Sequence, residues 1–418
     1  MDTGTTAFML LSTALVFLMT PALAFFYGGL SRRKNVVNTM YMSLGVTGIV
    51  GVTWTFIGWS LAYGGNSHNP VIGGVNQLFG HGLLDTVLSP DETAAYPPLL
   101  DFGFQLAFAF ITASIIGGAL AGRMRFTAFA LFIFIWSIVV YPLLAHMVWS
   151  GDNSLIGGKI GALDFAGGDV VHISSGLTGL IVAIFLGKRR GYGSFTYRSH
   201  NVPAVALGAG LLWFGWFGFN GGSAFAPDEV AVLALVNTMV APTAAMLSWI
   251  CVEWIRTGSP TLVGACSGII AGLVVITPAA GFVDMWAALV MGFLVSPMCY
   301  WAISYLKPRL GYDDALDAFG LHGIGGILGG IFTGIFCVPE LSWTQYGGLL
   351  YTGDFHLLWA QVLGIIVTVL FVGVLTCCIV LFVRFIVNDL RVSAREEAEG
   401  VDVYQHHEAA YPAYDGLD

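Results

Sequence analysis

The sequence predicts an all-α polytopic membrane protein with eleven transmembrane helices. Hydrophobic residues make up 56% of its 418 positions and charged residues only 10%, and the apolar residues fall into long runs. The 55 glycines fit the same class, because helices in lipid pack through small residues that let their backbones approach closely. The formal net charge of -9 comes from scattered acidic residues and indicates no nucleic-acid partner.

A helix that crosses the hydrocarbon core needs about 20 mostly apolar residues. Eleven windows meet this requirement, approximately at residues 6–27, 38–62, 101–121, 127–149, 164–187, 202–221, 230–252, 261–280, 283–305, 315–337 and 358–386. The longest connections, 63–100 and 338–357, contain Gly, Pro and Asn and are typical of loops. We therefore divide the chain into a transmembrane domain, 1–386, and a polar C-terminal tail, 387–418.

The basic residues predict the orientation of these helices. Of the 16 Lys and Arg residues, all but Lys159 follow odd-numbered helices, and basic residues accumulate on the cytoplasmic side of a membrane. The N-terminus is therefore expected outside and the tail inside, in a multi-pass protein of the cell (inner) membrane. Helices 1–5 and 6–10 then have opposite orientations, which predicts an inverted repeat of the kind common in transporters.

Two of the nine histidines, His172 and His322, lie well inside predicted helices, one in each half. An ionisable group at that depth costs about 2.5 kcal/mol or more, so it usually faces a cavity or a partner. The alternative is a pair of histidines that only bond neighbouring helices together. Because no Cys, Asp or Glu accompanies them at ligand spacing, we expect no metal site and no cofactor.

Two aspartates precede these histidines. Asp164 stands at the predicted outer start of helix 5, eight residues before His172, and lies about 12 Å from it along a helix axis, too far for a direct pair. Its carboxylate can cap the helix or attract a cation, and the sequence leaves both roles open. Asp317, five residues before His322, is predicted to cap helix 10.

One group of aromatic residues lies near the outer ends of the predicted helices. Phe108 belongs to helix 3, Trp149 ends helix 4, and Trp216 and Phe219 lie on helix 6. A small cation over a desolvated Trp ring gains about 2 kcal/mol, and Ser223 adds an acceptor oxygen nearby. For each of these residues the alternative is packing alone.

Several long motifs that contain these residues resemble the Amt/Mep/Rh family of ammonium transporters, in its prokaryotic Amt branch. They occur in the family's order as FYGGLSRRKNVVNTM (26–40), AHMVW (145–149), ALDFAGGDVVHISSG (162–176), GWFGFNGGSA (215–224), ITPAAGFV (276–283) and DDALDAFGLHGIGGI (313–327). The resemblance implies eleven helices per subunit, one pore in each subunit and assembly as a homotrimer. It covers essentially the whole chain.

The resemblance also implies roles for individual residues at the outer face. Trp149 and Ser223, together with Phe108, would form a recruitment site for ammonium. Phe108 and Phe219 would form a stacked gate beneath it.

Deeper in the bilayer the resemblance assigns the remaining candidates. His172 and His322 would be the twin histidines of the pore, with Trp216 beside them. Asp164 would be the aspartate needed for transport. The implied function is an ammonium transporter or channel that recruits NH4+, deprotonates it, and conducts ammonia past the histidines with or without the proton.

The segment LRVSAREEAEGVDVYQHHEAAY (390–411) resembles the family's regulatory C-terminus, which in relatives contacts neighbouring subunits and PII-type signalling proteins. Three positions depart from the family's pattern. Gly122 stands where Glu is usual, His407 where Gly is usual, and Ala22 where Gly is common. The first two concern cytoplasmic regulation rather than the pore.

Two alternatives to transport follow from the sequence. The first is an ammonium sensor with the same fold, which binds ammonium and signals with little or no flux. The second is an intramembrane enzyme that uses the histidines, and the lack of an accompanying nucleophile or metal-ligand set argues against it. We therefore do not expect an enzyme, and the expected partners are ammonium or ammonia, the lipid bilayer, other copies of the chain, and a PII-type protein at the tail.

Overall fold

The computed structural model describes residues 1–65, 68–89, 91, 93–194 and 197–411. Within these residues the chain is helical, and its β structure is limited to two isolated bridges. Eleven helices among the described residues are long and apolar enough to cross a membrane, as predicted. They are α1 (Thr3–Leu30), α2 (Arg33–Tyr63), α3 (Leu99–Leu120), α4 (Phe126–Trp149), α5 (Gly168–Leu186), α6 (Val202–Gly221), α7 (Glu229–Thr257), α8 (Leu262–Ala279), α9 (Met285–Leu310), α10 (Phe319–Phe336) and α11 (His356–Val387).

Three of these helices contain a widened π turn at a candidate site residue. The turn Gly168–Ile173 opens α5 and carries His172, and the turn Phe319–Gly323 opens α10 and carries His322. A third turn, Phe217–Gly221, closes α6. Such turns are rare and occur frequently at functional sites. The matched turns of α5 and α10 also agree with the predicted inverted repeat.

Glycines allow α5 and α10 to cross closely beside the histidines. A Cβ atom added to Gly176 would lie 2.5 Å from the backbone nitrogen of Gly323, and one added to Gly326 would lie 3.1 Å from Cβ of His172. Any larger residue at Gly176 would force the two backbones apart. This small-residue contact therefore sets the separation of the two histidine-bearing turns.

The loops with basic residues gather on one face of the bundle. Arg189, after α5, forms an ion pair of 2.6 Å with Asp313, after α9. From the C-terminal tail, Arg391 donates hydrogen bonds to the carbonyl oxygens of Leu186 and Lys188. This grouping agrees with the predicted cytoplasmic face, and the end of α4 and the start of α5 meet on the opposite face.

Up to residue 411, where the described part of the tail ends, it forms two short helices, α12 (Ala394–Glu399) and α13 (Val401–His406). A capping box begins α12, because Ser393 accepts from the backbone of Glu396 and the Glu396 carboxylate accepts from the backbone of Ser393. The polar composition of 387–418 had predicted a tail but not these helices.

Polar contacts dock the tail on the start of α2. The carboxylate of Asp402 accepts hydrogen bonds from the backbone nitrogens of Val37 (3.1 Å) and Asn38 (2.9 Å). The ring of His406 packs against Tyr41, with 5.0 Å between centroids. The tail therefore supplies acceptors to a helix start that has no cap of its own.

The sequence assigned the cap of α10 to the wrong aspartate. The side chain of Asp317 does not bond the helix start; it pairs with Lys307, and the residue has a positive φ of 60°. The cap is Asp314, whose carboxylate accepts from the backbone nitrogens of Ala318 (3.1 Å) and Phe319 (2.7 Å). Burial, and then the charge of Asp317, raises the pKa of Asp314 to about 6. Because α10 begins at Phe319 rather than at 315, Asp317 lies within the turn that leads to the helix.

Candidate functional site

A cavity of about 550 Å³ opens on the outer face of the bundle, between the ends of α3, α4 and α6. Four of the candidate residues line it: Phe108, Trp149, Asp164 and Ser223. These residues are far apart in the sequence, and the folded chain brings them to one cavity. We call this cavity the outer vestibule.

Hydrogen bonds fix two side chains of the outer vestibule. The indole nitrogen of Trp149 donates to the carbonyl oxygen of Asp164 over 2.9 Å. The hydroxyl of Ser223 donates to the carbonyl oxygen of Phe219 over 2.8 Å, so its own lone pairs are left to accept from a ligand. Phe108 meets Trp149 edge-on, with 6.1 Å between ring centroids. An aromatic face and an acceptor oxygen therefore border one space.

The floor of the outer vestibule is a stack of two phenyl rings. Phe108 and Phe219 lie 4.1 Å apart between centroids at an interplanar angle of 12°. Both side chains are buried, at 1% and 0% exposure. A ligand in the outer vestibule can pass inward only if these rings turn, because no gap separates two rings at van der Waals contact.

Beneath the stack lies the histidine pair. Nδ1 of His322 is 3.2 Å from Nδ1 of His172, and the His172 ring stacks on Trp216 at 5.4 Å. The indole nitrogen of Trp216 donates to Oγ1 of Thr277 over 2.9 Å and is thereby held in place. The two helices thus present their imidazoles to each other.

The contact between the two Nδ1 atoms determines whether each Nε2 atom is a hydrogen-bond donor or acceptor. One Nδ1 must donate and the other accept, so in the neutral pair one Nε2 is a donor and the other an acceptor. Nε2 of His172 is buried and has no hydrogen-bond partner within the described part of the chain. The pair can therefore give one hydrogen bond and receive one from a small molecule that moves past it.

The space beside the histidines is narrow and apolar. A cavity of about 10 Å³ lies there, and its walls are His172, His322, Trp216, Phe219 and aliphatic side chains such as Ile115. That volume holds roughly one molecule of the size of water. None of the residues that line this cavity is an acid, a lysine or an arginine. We call it the lumen.

Asp164 lies just before α5 and not in its first turn, because the helix begins at Gly168 rather than at 164. Its carboxylate accepts from the backbone nitrogens of Gly167 (2.7 Å), Gly168 (2.6 Å) and Asp169 (2.8 Å), with a longer contact to Val170 (3.4 Å). The side chain is buried. Of the two roles left open by the sequence, the cap is supported by these contacts.

The predicted site residues did not include Gln105 and Asp101, which are polar residues of the outer vestibule. Gln105 has a buried Oε1 atom without a hydrogen-bond partner in the described residues, and Asp101 accepts from the hydroxyl of Tyr96 over 2.7 Å. Both line the outer vestibule. They precede Phe108 by three and seven residues, which are spacings that share one helix face. That periodicity is the signal that would have identified them.

The two cytoplasmic departures from the family's pattern occupy left-handed backbone. His407 has a φ of 53° and Gly122 a φ of 76°, a region that favours glycine. A Cβ atom at Gly122 would lie 2.4 Å from Nδ2 of Asn35. Next to it, burial lowers the pKa of Arg123 to about 10, although Asp313 is near. Gly122 supplies no carboxylate to this buried guanidinium.

Comparisons with known proteins agree on one group. A family model described as the Ammonium Transporter Family matches residues 7–411. The ammonium transporter of Aquifex aeolicus is 46% identical over 98% of this chain and 94% of its own length. The ammonium transporter of Bacillus subtilis is also 46% identical, over 98% of this chain and 99% of its own length.

Two solved structures have the same fold. A crystal structure of Saccharomyces cerevisiae Mep2 superposes with a TM-score of 0.86 at 34% identity, over 94% of this chain and 88% of that chain. A structure described as a sensor Amt protein gives a TM-score of 0.88 at 28% identity, over 96% of this chain and 98% of that chain. The shared architecture thus occurs in a protein that is described as a sensor.

Proposed function

Since the chain belongs to the ammonium transporter family, we propose that it carries ammonium across the cell membrane through one pore in each subunit. The observation that carries this proposal is the order of groups along one path. The outer vestibule comes first, the phenyl stack closes it, and the histidine pair borders the lumen beneath. The family consists of membrane transporters and not of enzymes.

Ammonium is recruited in the outer vestibule. A cation over the face of Trp149 gains about 2 kcal/mol when it is desolvated, and the free lone pairs of Ser223 accept one N–H bond. The unpartnered Oε1 of Gln105 offers a further acceptor. Ammonium carries four N–H donors whereas K+ carries none, so directional acceptors favour ammonium over an alkali cation of similar size.

A bare cation does not pass the phenyl stack into the lumen. Moving a bare ion into hydrocarbon costs on the order of 20 kcal/mol in the Born limit, and the lumen has no charged side chain along its walls to offset that cost. Ammonium can give up a proton to water in the outer vestibule, which opens on the outer face, and continue as neutral ammonia. K+ and Na+ have no neutral form and are excluded.

Ammonia then moves past the histidine pair by hydrogen bonding. It donates to the Nε2 atom that accepts and receives from the Nε2 atom that donates, so it replaces part of its lost hydration. The same two rings can also pass a proton between their facing Nδ1 atoms, because an imidazole nitrogen can both donate and accept a hydrogen bond. Transport with the proton produces a current, and transport of ammonia alone does not.

Reconstitution tests the proposal directly. Purified protein in liposomes should take up ammonium with saturation, while K+ at the same concentration produces neither uptake nor current. Liposomes with a His172→Ala, His322→Ala double variant serve as the control for a lumen without its hydrogen-bonding groups. Ammonium binding without flux in the wild-type protein would reject transport and favour a sensor. The structural similarity to a sensor Amt protein is the observation that keeps this second candidate open.

We expect Ser223→Ala to raise the ammonium concentration for half-maximal transport about fivefold, with a smaller effect on the maximal rate. A net hydrogen bond to a ligand is worth about 1 kcal/mol, and Ser223 acts only at recruitment. The measurement is the concentration dependence of uptake or current in liposomes.

The matched control is Thr243→Val. Thr243 also donates to backbone carbonyls of its own helix, on α7, but it is exposed outside the outer vestibule. The recruitment role of Ser223 is wrong if both variants shift the half-maximal concentration equally.

We also propose that 387–418 is a regulatory tail, that three copies of the chain assemble, and that a PII-type protein binds on the cytoplasmic side. The contacts of α12 and α13 with the cytoplasmic loops support a regulatory role for the tail. Glu397 of α12 accepts from the side chain of Arg391 and from the backbone nitrogen of Arg190. The tail thereby touches the ends of both α5 and α2, so a partner that binds the tail can act on the helix that carries His172.

Asp402→Ala should release α13 from α2. The substitution removes the acceptor for two backbone N–H groups of α2, and a lost cap costs about 1 kcal/mol. We expect amide hydrogen exchange of residues 401–407 to become about fivefold faster. Glu408→Ala is the matched control, since Glu408 is an exposed acid of the same segment. Equal exchange in the two variants would contradict the docking role of Asp402.

A further inference from the structure

The outer vestibule contains a carboxylate that recruitment at Trp149 does not use. Three of the described residues that line the vestibule are aspartates, Asp101, Asp152 and Asp164, and none is a lysine or an arginine. Asp164 accepts from the backbone before α5, and Asp152 is exposed. Asp101 is half-buried. Its Oδ1 accepts from Tyr96, and within the described residues its Oδ2 has neither a hydrogen bond nor an ion pair.

Two further polar groups of the same wall lack hydrogen-bond partners. Gln105 lies one helical turn further in than Asp101 on the same face of α3. It is 7% exposed, and its Oε1 has no partner in the described part of the chain. Rotation of the amide about its last bond can turn this acceptor toward the vestibule. Oη of Tyr63, which lines the vestibule from the end of α2, is also buried and unpartnered among these residues.

Aromatic contacts place Tyr63 on the wall that carries Asp101. The ring of Trp59 lies 5.0 Å from that of Tyr63 and 5.6 Å from that of Phe102, the residue after Asp101. Buried polar groups in proteins are normally hydrogen-bonded. Unpartnered acceptors beside a free carboxylate oxygen therefore indicate a cationic ligand that brings its own N–H donors.

We propose that Asp101, Gln105 and Tyr63 form a second cation site, which holds an ammonium ion before it reaches Trp149. The inference rests on the proposed transport of ammonium and adds the step that precedes recruitment. Asp101 comes seven residues before Phe108 and so lies about 10 Å further out along α3. The vestibule of about 550 Å³ has room for ions at both places, since a molecule of the size of water takes up about 30 Å³. We call these three residues the outer carboxylate site.

The outer carboxylate site attracts its ligand mainly by charge and therefore selects less than the Trp149 site does. A carboxylate in a cleft with low-dielectric walls concentrates any small cation, and salt screens this attraction. K+ therefore enters the outer carboxylate site as well, although it does not pass the phenyl stack. The consequence is that K+ competes with ammonium for entry without crossing the membrane.

Uptake by liposomes tests the competition. At low ionic strength Asp101→Asn should raise the ammonium concentration for half-maximal uptake about fivefold and leave the maximal rate unchanged. When K+ replaces a bulky organic cation at constant ionic strength, that concentration should rise about threefold in the wild type and stay constant in Asp101→Asn. Asparagine keeps an acceptor for the hydroxyl of Tyr96, so the wall is preserved.

The matched control is Asp152→Asn, which removes the same charge from an exposed position of the outer vestibule. It should shift the half-maximal concentration less than twofold and retain the competition by K+. Equal shifts in Asp101→Asn and Asp152→Asn would show that only the general field of the vestibule acts, and they would overturn the proposed site.

Tl+ locates the bound cation independently of transport, because it resembles ammonium in charge and size and scatters X-rays anomalously. Crystals of the full chain soaked in Tl+ should show an anomalous peak in contact with the carboxylate of Asp101. The peak should persist in Asp152→Asn and disappear in Asp101→Asn. A wild-type protein without this peak, or an equal peak in Asp101→Asn, overturns the site even if the protein carries ammonium. A peak that depends on Asp101 in a protein without ammonium flux supports the site and rejects the proposed transport.

Discussion

His172→Asp should make the pore conduct K+. In the wild-type lumen a bare cation meets apolar walls and neutral imidazoles, and its desolvation is not compensated. A carboxylate at this position places a fixed negative charge on the path and draws in water. At about 4 Å and an effective dielectric of about 20, such a charge attracts a cation by roughly 4 kcal/mol. We expect the K+ current to rise at least about tenfold above the wild-type background.

The measurement is current across liposome membranes as K+ or ammonium is added separately. His172→Asn is the matched control, because asparagine has the size of aspartate and is polar but carries no charge. It should exclude K+ as the wild type does and should carry less ammonium, since the amide cannot release a proton. If His172→Asp remains selective for ammonium, the histidine pair is not the filter and selectivity arises in the outer vestibule.

The helices and their orientation were predictable because the membrane imposes simple rules on sequence. A span must be long and apolar, and its cytoplasmic flanks are basic, so composition alone led to eleven helices and to two faces. The same topology placed one histidine in each half. That Nδ1 of His172 would lie 3.2 Å from Nδ1 of His322 was not predictable, because this distance depends on the glycine crossing between α5 and α10.

The details of the helix starts were predicted less well. The apolar pattern of helix 5 extends back to 164, yet a π turn begins the helix at Gly168 and leaves Asp164 in the preceding turn. The same error of a few residues assigned the cap of α10 to Asp317 instead of Asp314. Hydropathy shows which segments are apolar enough to lie in lipid, but it does not locate the first residue of a helix. That residue depends on which carboxylate reaches the free backbone N–H groups.

Asp164→Ala should destabilise the fold around the pore and abolish transport. The substitution leaves the backbone N–H groups of 167–170 without their acceptor in a buried place, and each unsatisfied group costs about 1–3 kcal/mol. The turn that it releases is the one that carries His172, and the carbonyl of Asp164 also holds Trp149. We expect a large fall in the melting temperature of the detergent-purified protein and loss of ammonium uptake.

Asp164→Asn separates the cap from the charge. Asparagine keeps one acceptor oxygen, so the Asp164→Asn protein should retain part of the stability that Asp164→Ala loses. Capping and attraction of the cation then predict different transport by this variant. If Asp164 acts only as a cap, the folded Asp164→Asn protein carries ammonium with an unchanged half-maximal concentration. If its charge draws the cation into the outer vestibule, that concentration rises although the protein is folded.

Asp228→Asn is the control for both measurements. Asp228 also caps a membrane helix, since its carboxylate accepts from the backbone nitrogen of Ala231 at the start of α7 over 2.9 Å, but it does not line the outer vestibule. Its substitution should leave both stability and transport nearly unchanged, because asparagine caps a helix about as well as aspartate does. A transport defect in Asp164→Asn at a stability equal to that of Asp228→Asn would show that the charge of Asp164, and not only its capping, serves transport.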